Sequence, residues 1–306
     1  MKIRSALENY GFILPALSIF AVFYIIPFFF VLRLSFFDWD GIGRLSSATF
    51  VGLGNFKEIL LQDPNWWQAM RNAGWITFIA LTFQNILAFM LAVACDREIR
   101  MKNFYRLIFF IPPILSEIVV GMVWRFIIND VDGANIINRF LAQAGLAQFI
   151  HNWLADPKTA LTTVAIVHSW KGFGWGFLIF LAGLQTIPRE FYEAARVDGA
   201  NAWQTFRKIT VPLLMPVIIL VAILTILGTM QAFVLILGLV GGELAGHTSV
   251  PVLRILDVMR DSSRFGYSCA LGINLGVILV IISFIQYAFS NRARALTQDY
   301  EHIPSE

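Results

Sequence analysis

Glu193-Ala194-Ala195-Arg196-Val197-Asp198-Gly199-Ala200, continuing to Ile209-Thr210-Val211-Pro212, is the most polar long interval between two strongly apolar segments of the chain. Its pattern predicts two short helices joined at a glycine. Phe191, Ala194, Ala195 and Val197 can share one side of the first helix, leaving Glu190, Glu193 and Arg196 towards water. Gly199 has no Cβ and suits the backbone that ends a helix. Trp203, Phe206 and Ile209 recur at helical spacing in the second helix, and Pro212 fits the first turn of the span that follows. The physical reading is a compact helix-turn-helix held against a membrane, with a charged face offered to something in the water. Periodicity alone favours the plainer reading, an amphipathic surface loop of the kind any polytopic protein carries.

The chain has 306 residues, 58% hydrophobic and only 14% charged, with 28 Phe. The apolar residues lie in long runs rather than scattered, which defines an integral membrane protein. The net charge of +3 includes no basic block that would point to nucleic acid. A helix needs roughly 20 apolar residues to cross the hydrocarbon. Qualifying stretches are Gly11–Leu34, Trp75–Ala94, Leu107–Ile128, Ala160–Ala182, Leu213–Val240 and Cys269–Phe289, so an all-α protein of six transmembrane helices is expected. The first run follows Lys2 and Arg4, but it is too long for a signal core and no small-x-small site closes it, so it reads as a retained span. Cys95 and Cys269 fall at span ends on opposite sides of the bilayer, and neither a disulfide nor a metal site is expected.

Orientation follows from Lys and Arg in the short loops. Arg97, Arg100, Lys102 and Arg106 crowd the link between spans two and three. Arg189, Arg196, Arg207 and Lys208 occupy the opening stretch, and Arg292 with Arg294 follow span six. The alternate loops carry Asp38, Asp40, Asp63, Asp130, Asp132 and Asp156. Both termini and the 189–211 loop are therefore placed in the cytoplasm. Among the outer segments, Trp66-Trp67 reads as part of an interfacial aromatic belt. Ile136, Ile137, Phe140 and Leu141 read as an amphipathic helix lying flat at the interface.

Ionisable residues at membrane depth are costly and face a bundle interior or a wet cavity. Glu117 stands near the middle of span three, after Pro112-Pro113, which should bend or break its helix. Lys171 stands near the middle of span four, within His168-Ser169-Trp170-Lys171-Gly172-Phe173-Gly174-Trp175-Gly176. Matching depth predicts an ion pair between Glu117 and Lys171. The glycines permit unwinding or close helix approach, and the aromatic residues offer flat faces suited to a sugar or polyol.

The wording of the opening stretch is more specific than its periodicity. Glu-Ala-Ala, three residues, Gly, nine residues, Ile, one residue, an aliphatic and Pro resembles the EAA signature of bacterial ABC-importer permeases. Tyr192-Glu193-Ala194-Ala195 with Asp198-Gly199-Ala200 is similar to the carbohydrate-uptake branch, the maltose and glycerol-phosphate type; Val211 stands where that family usually has Leu. The resemblance extends to Phe50-Val51-Gly52-Leu53-Gly54-Asn55-Phe56, to Arg71-Asn72, and to Gly241-Gly242 with Phe265-Gly266-Tyr267. Glu243 breaks the family's usual Gly-Gly-Pro.

The resemblance implies a type I ABC-importer permease fold over residues 1–306 as a single transmembrane domain. It implies a coupling helix carrying Glu193, Ala194, Ala195, Asp198, Gly199 and Ala200 that docks into a cleft of an ATPase subunit. Its implied substrate site takes His168, Lys171, Gly172 and Trp175 from span four. From span five it takes Thr225, Gly228, Thr229 and Ala232, with Gln231 adjacent. Partners implied are a second homologous permease in a heterodimer, two ATP-binding subunits and an extracytoplasmic substrate-binding protein, in the cytoplasmic membrane of a bacterium or archaeon. Plainer roles stand beside these: Lys171 as a general structural group, His168 as a packing residue, Trp175 as bundle core, and Thr225 and Thr229 bonded to their own helix backbone.

The chain lacks the Gly-x-x-x-x-Gly-Lys-Ser/Thr phosphate loop, so ATP and magnesium belong to the partners and no cofactor or catalytic residue is assigned here. The leading expectation is the permease subunit of an importer for a carbohydrate or polyol. The rivals are an ion-coupled secondary transporter using Glu117 or His168 for protons, an ABC permease for a non-sugar nutrient, and an intramembrane enzyme with His168 and Glu117 as acid and base.

Overall fold

The computed structural model describes residues 13–96, 100–129, 135–241 and 245–301. In chain order its main elements begin with α1 (Ile13–Leu34), a two-residue pairing of Phe37–Asp38 with Thr49–Phe50, α2 (Gly54–Leu61) and α3 (Pro64–Asp96). Next come α4 (Lys102–Ile114), α5 (Glu117–Ile128), α6 (Ile136–Gln143), α7 (Pro157–Leu184) and α8 (Arg189–Val197). The chain closes with α9 (Ala202–Met230), α10 (Val234–Val240), α11 (Pro251–Asp261) and α12 (Phe265–Glu301). Among the described residues, five helices are long and apolar enough to cross a membrane: α1, α3, α7, α9 and α12 as far as Ala288. The pair α4 and α5 makes a sixth crossing if counted together.

That pair is bent by 95°, at the place where Pro112-Pro113 predicts a break. A proline has no N–H, so Pro113 cannot bond the carbonyl of Phe109 one turn back. The helix stops at Ile114, and α5 restarts after Ser116 with Glu117 at its first position. The freed Phe109 carbonyl is met by Gly174 of α7, where a Cβ would run into that oxygen and into the Pro113 ring. The glycines of span four therefore serve close approach. Unwinding, the other expectation, does not occur: α7 is unbroken from Pro157 to Leu184.

Span five differs from expectation. Leu213–Val240 is not one helix: α9 ends at Met230, and after Gln231, Ala232 and Phe233 the chain restarts as α10. The break lets α10 lie along α5. Gly121 and Gly238 face each other there, and a Cβ on either would strike the carbonyl of Leu235 or Ile118. Span two also begins earlier than Trp75, at Pro64.

The chain packs as two compact units, Met1–Trp66 with Arg254–Ile278 and Trp67–Leu253 with Leu279–Glu306. In the first, Asn55 Nδ2 donates to the carbonyls of Ser35 and Phe37 at 2.9 and 3.0 Å. Asp63 accepts from the Trp66 N–H, Tyr267 Oη and Arg254 Nη2 at 3.0, 2.9 and 3.1 Å. Arg264 clamps Glu58 through two bonds of 2.6 and 2.7 Å. Trp66 is fully buried, so only exposed Trp67 is placed as an aromatic belt residue would be. The second unit has an apolar core in which Ile76, Val164, Val167, Leu235 and Leu239 meet, and another where Ala88 and Ala92 let α3 approach Phe177 and Phe180 of α7. Asn72 Nδ2 donates to the carbonyls of His247 and Ser249 at 3.1 and 2.9 Å. The amphipathic segment expected at Ile136 is helix α6, with Asn135 capping the N–H groups of Ile137 and Asn138. Glu243, Gly242, Asp130, Asp132 and Arg97 lie outside the described residues.

Candidate functional site

The 189–211 loop is built from two capping motifs back to back. Helix α8 carries Glu190 in its first turn and Arg196 in its last, the signs that suit a helix dipole. It ends on Gly199 at φ +73°. The Ala200 N–H reaches the Ala195 carbonyl at 2.9 Å and the Gly199 N–H reaches that of Arg196 at 3.2 Å, a Schellman closure. Immediately afterwards Asn201 and Gln204 cap each other's backbone N–H at 2.8 and 2.9 Å, starting α9. The expected second short helix is thus not separate. It runs through a π-helical turn, Phe206–Thr210, into the long apolar helix. Pro212 therefore follows a widened turn inside α9 instead of opening a new helix.

The facing of α8 corrects the sequence reading. Ala195 is buried and Tyr192 half-buried, with Tyr192 Oη 3.2 Å from Thr210 Oγ1. Phe191 and Ala194 point outward, and Val197 is 87% exposed. These are the residues expected to turn inward with Ala195. The physical reason is the Tyr192 stripe, which recurs at buried Ala195 and meets the start of α9 at Thr210, leaving the 191/194/197 side out. Glu193, Asp198 and Trp203 are exposed as well, so the outward surface mixes carboxylates with bare apolar groups. Behind the helix, Tyr192, Arg196, Ala200, Phe206, Thr210 and Asp96 line a cavity of about 490 Å³.

A second cavity, of about 280 Å³, lies midway along α7. It brings together His168, Lys171, Gly172 and Trp175 with Thr225, Gly228 and Thr229 of α9, and adds Glu117. Gln231 is exposed at the end of α9, and neither it nor Ala232 lines this space. Lys171 Nζ is 3.4 Å from Glu117 Oε1, with side chains 11% and 46% exposed respectively. The broken span is what puts that carboxylate at a helix N-terminus, where unsatisfied N–H groups favour negative charge. Trp175 and Phe110 pack with their rings nearly perpendicular, and Trp175 stays 56% exposed. Thr225 Oγ1 donates to the Val221 carbonyl at 2.8 Å and lies 3.1 Å from Asn85 Oδ1. Thr229 Oγ1 bonds the Thr225 carbonyl at 2.9 Å and is 2.7 Å from Thr77 Oγ1. The helix-backbone role is thus present, joined by cross-links to α3.

The α3 wall of this cavity escaped the sequence reading. Gln84 lines it, with Asn85 and Thr77 just behind. A search for charge at membrane depth passes over neutral amides. The available signal was two consecutive amides, Gln84-Asn85, inside an apolar run.

A bundle of apolar helices holding a polar cavity, with a capped loop helix turned outward, defines a polytopic membrane protein of the transport class. The chain belongs to the binding-protein-dependent transport system inner membrane components, whose family pattern matches residues 84–295. It is 30% identical over 295 residues to the multiple sugar-binding transport system permease protein MsmF of Streptococcus mutans, covering 95% of this chain and 99% of that one. Its fold matches a crystal structure of a bacterial ABC transporter involved in the import of the acidic polysaccharide alginate, with a TM-score of 0.80, 20% identity, and 95% and 97% of the two chains covered. A structure of a bacterial alginate ABC transporter in complex with an alginate pentasaccharide-bound periplasmic protein gives a TM-score of 0.79 at 21% identity, covering 95% and 96%. The protein is accordingly a multi-pass ABC-transporter permease of the inner membrane.

Proposed function

We propose that this chain is one translocating subunit of an ABC importer that carries a carbohydrate or polyol across the cytoplasmic membrane, driven by ATP hydrolysis in partner subunits. The whole chain is read as one permease domain with six crossings, α4 and α5 together making the third. An even number of crossings and the placement of Lys and Arg put both termini and α8 in the cytoplasm. The observation that carries the reading is the outward face of α8, where Phe191, Ala194 and Val197 stand exposed beside Glu193 and Asp198 on a rigidly capped helix. Exposed apolar side chains grouped on one helix face mark an interaction surface. With no phosphate-binding loop in its own sequence, the chain needs partners that hold ATP and magnesium. Two ATP-binding subunits, a second and different permease chain, and an extracytoplasmic binding protein complete the assembly.

The carbohydrate assignment is supported by the mid-span cavity, where the exposed Trp175 and the polar groups of α3, α5 and α7 suit a ligand with both C–H faces and hydroxyls. The names of the relatives agree with it. The test is uptake of labelled oligosaccharides into proteoliposomes holding the full complex and its binding protein. Uptake is expected with ATP at the α8 side and to persist when the proton gradient is collapsed. Uptake driven by a proton gradient without ATP would replace this reading with the ion-coupled one. At the same time, a cysteine placed at Val197 is expected to crosslink to an ATP-binding subunit.

A further inference from the structure

Gln84 and Asn85 stand side by side at the end of a π-helical turn, Ala80–Gln84, in α3. Such single widened turns are rare and cluster at functional sites. Both side chains are buried, 7% and 9% exposed. Asn85 is answered by Thr225. Gln84 is not: its side chain lines the mid-span cavity, and its Oε1 is buried beside Gly172 without a hydrogen-bond partner. The facing helix makes room for it at Gly172, where a Cβ would stand 2.6 Å from Oε1. A buried carbonyl left unpaired is costly, and packing alone gives no reason to keep one inside an apolar helix.

The other polar groups of the cavity wall are largely engaged. The Thr225 hydroxyl lies between the Val221 carbonyl and Asn85, that of Thr229 between the Thr225 carbonyl and Thr77, and Lys171 is answered by Glu117. The geometry points to Gln84 as the residue that reads a substrate hydroxyl, and to an uncharged polyhydroxyl compound as the ligand. A hydroxyl donates to Oε1 and accepts from Nε2, so it satisfies the amide in either orientation. A carboxylate only accepts and so cannot satisfy the orphan carbonyl, and Lys171 on the same wall already has the Glu117 carboxylate. This rests on the carbohydrate reading above and adds to it a residue and a charge class.

The experiment is equilibrium binding of tritiated raffinose and maltotriose, with trigalacturonate as the acidic probe, to the intact transport complex in nanodiscs. Wild type is expected to bind a neutral probe. The near-isosteric Gln84→Met should bind it about tenfold more weakly, the loss of one hydrogen bond. A set of monodeoxy analogues then separates contact from structure. The one analogue that wild type binds poorly should show no further loss in Gln84→Met. Gln84→Asn, which keeps an amide, should show an intermediate loss and the same ranking of analogues. Equal affinity in wild type and Gln84→Met, or a uniform loss across all analogues, overturns the role of Gln84. Preference for trigalacturonate overturns the charge class while the carbohydrate reading stands. Failure of wild type to bind any of the three removes the carbohydrate reading and this inference with it.

Discussion

Lys171 and Glu117 are unequal partners. Lys171 is nearly enclosed at 11% exposure, whereas Glu117 is 46% exposed and sits on a helix N-terminus that favours its charge unaided. Removing one member of a fully buried pair typically costs about 3–5 kcal/mol, and the open side of Glu117 reduces that here to roughly 1–3 kcal/mol. The two single substitutions should therefore differ in effect. Glu117→Gln strands a buried ammonium and is expected to be the more damaging. Lys171→Met leaves a half-exposed carboxylate at a helix N-terminus that favours its charge. The double substitution is expected to transport better than Glu117→Gln alone, and transport no better than that single would show that the two groups act separately. Both charges were legible in the sequence because charge is conspicuous in an apolar run. Gln84 was not, since a neutral amide differs from its neighbours only in hydrogen-bonding capacity. The Phe109 carbonyl freed by Pro113 was equally hidden, because only the folded chain brings Gly174 against it.

At the scale of elements, the ends of α8 were readable and its facing was not. Gly199 gives a stop signal by local chemistry alone, and the chain folds accordingly; the start signal of the Asn201–Gln204 capping pair was passed over. Which stripe turns inward depends on Tyr192 meeting Thr210, a contact 18 residues away whose geometry is set by the π turn before Pro212. The same limit explains span five. The stretch from Leu213 to Val240 has its one proline at Pro216, which the helix passes through, and none near Met230, so the stop there follows from α10 packing on α5 through Gly121 and Gly238. Because Gly199 sits at φ +73°, with open space where a Cβ would go, Gly199→Ala is expected to cost strain and not collision. About 1–2 kcal/mol is the usual size for an L side chain in that region. The loss should be local, seen as faster amide exchange at Gly199 and Ala200, whose N–H groups close the α8 terminus. ATP-driven uptake should fall while the amount of folded chain stays near wild type. Loss of folded chain instead would show that the turn supports the whole bundle.

At the scale of the molecule, the unit formed by Met1–Trp66 and Arg254–Ile278 joins chain segments that sequence reading cannot pair. Its polar contacts link residues 191, 204 and 206 positions apart: Asp63 with Arg254, Asp63 with Tyr267, and Glu58 with Arg264. No local pattern announces such partners, and Asp63 counted only as one acid among several in an outer loop. The network has a consequence for acid stability. Hydrogen bonding by Arg264 holds the Glu58 carboxyl below its ordinary 4.5. Burial would raise Asp63, but the bonds from the Trp66 N–H, Tyr267 and Arg254 outweigh it and hold that carboxyl below 3.8. A carboxyl depressed on folding adds stability above its unfolded value and loses it as pH falls through the folded one. Unfolding midpoints of the purified protein should therefore hold steady from neutral pH to about 4.5 and drop below it, through the window set by these two groups. Asp63 should dominate, because its side chain is 6% exposed while Glu58 is 33% exposed and screened by water. Asp63→Asn keeps the shape but removes the titrating group, so it is expected to lower the midpoint at pH 7 and to flatten the acid limb. An acid limb of undiminished depth in that variant would place the acid-labile contacts elsewhere in the chain.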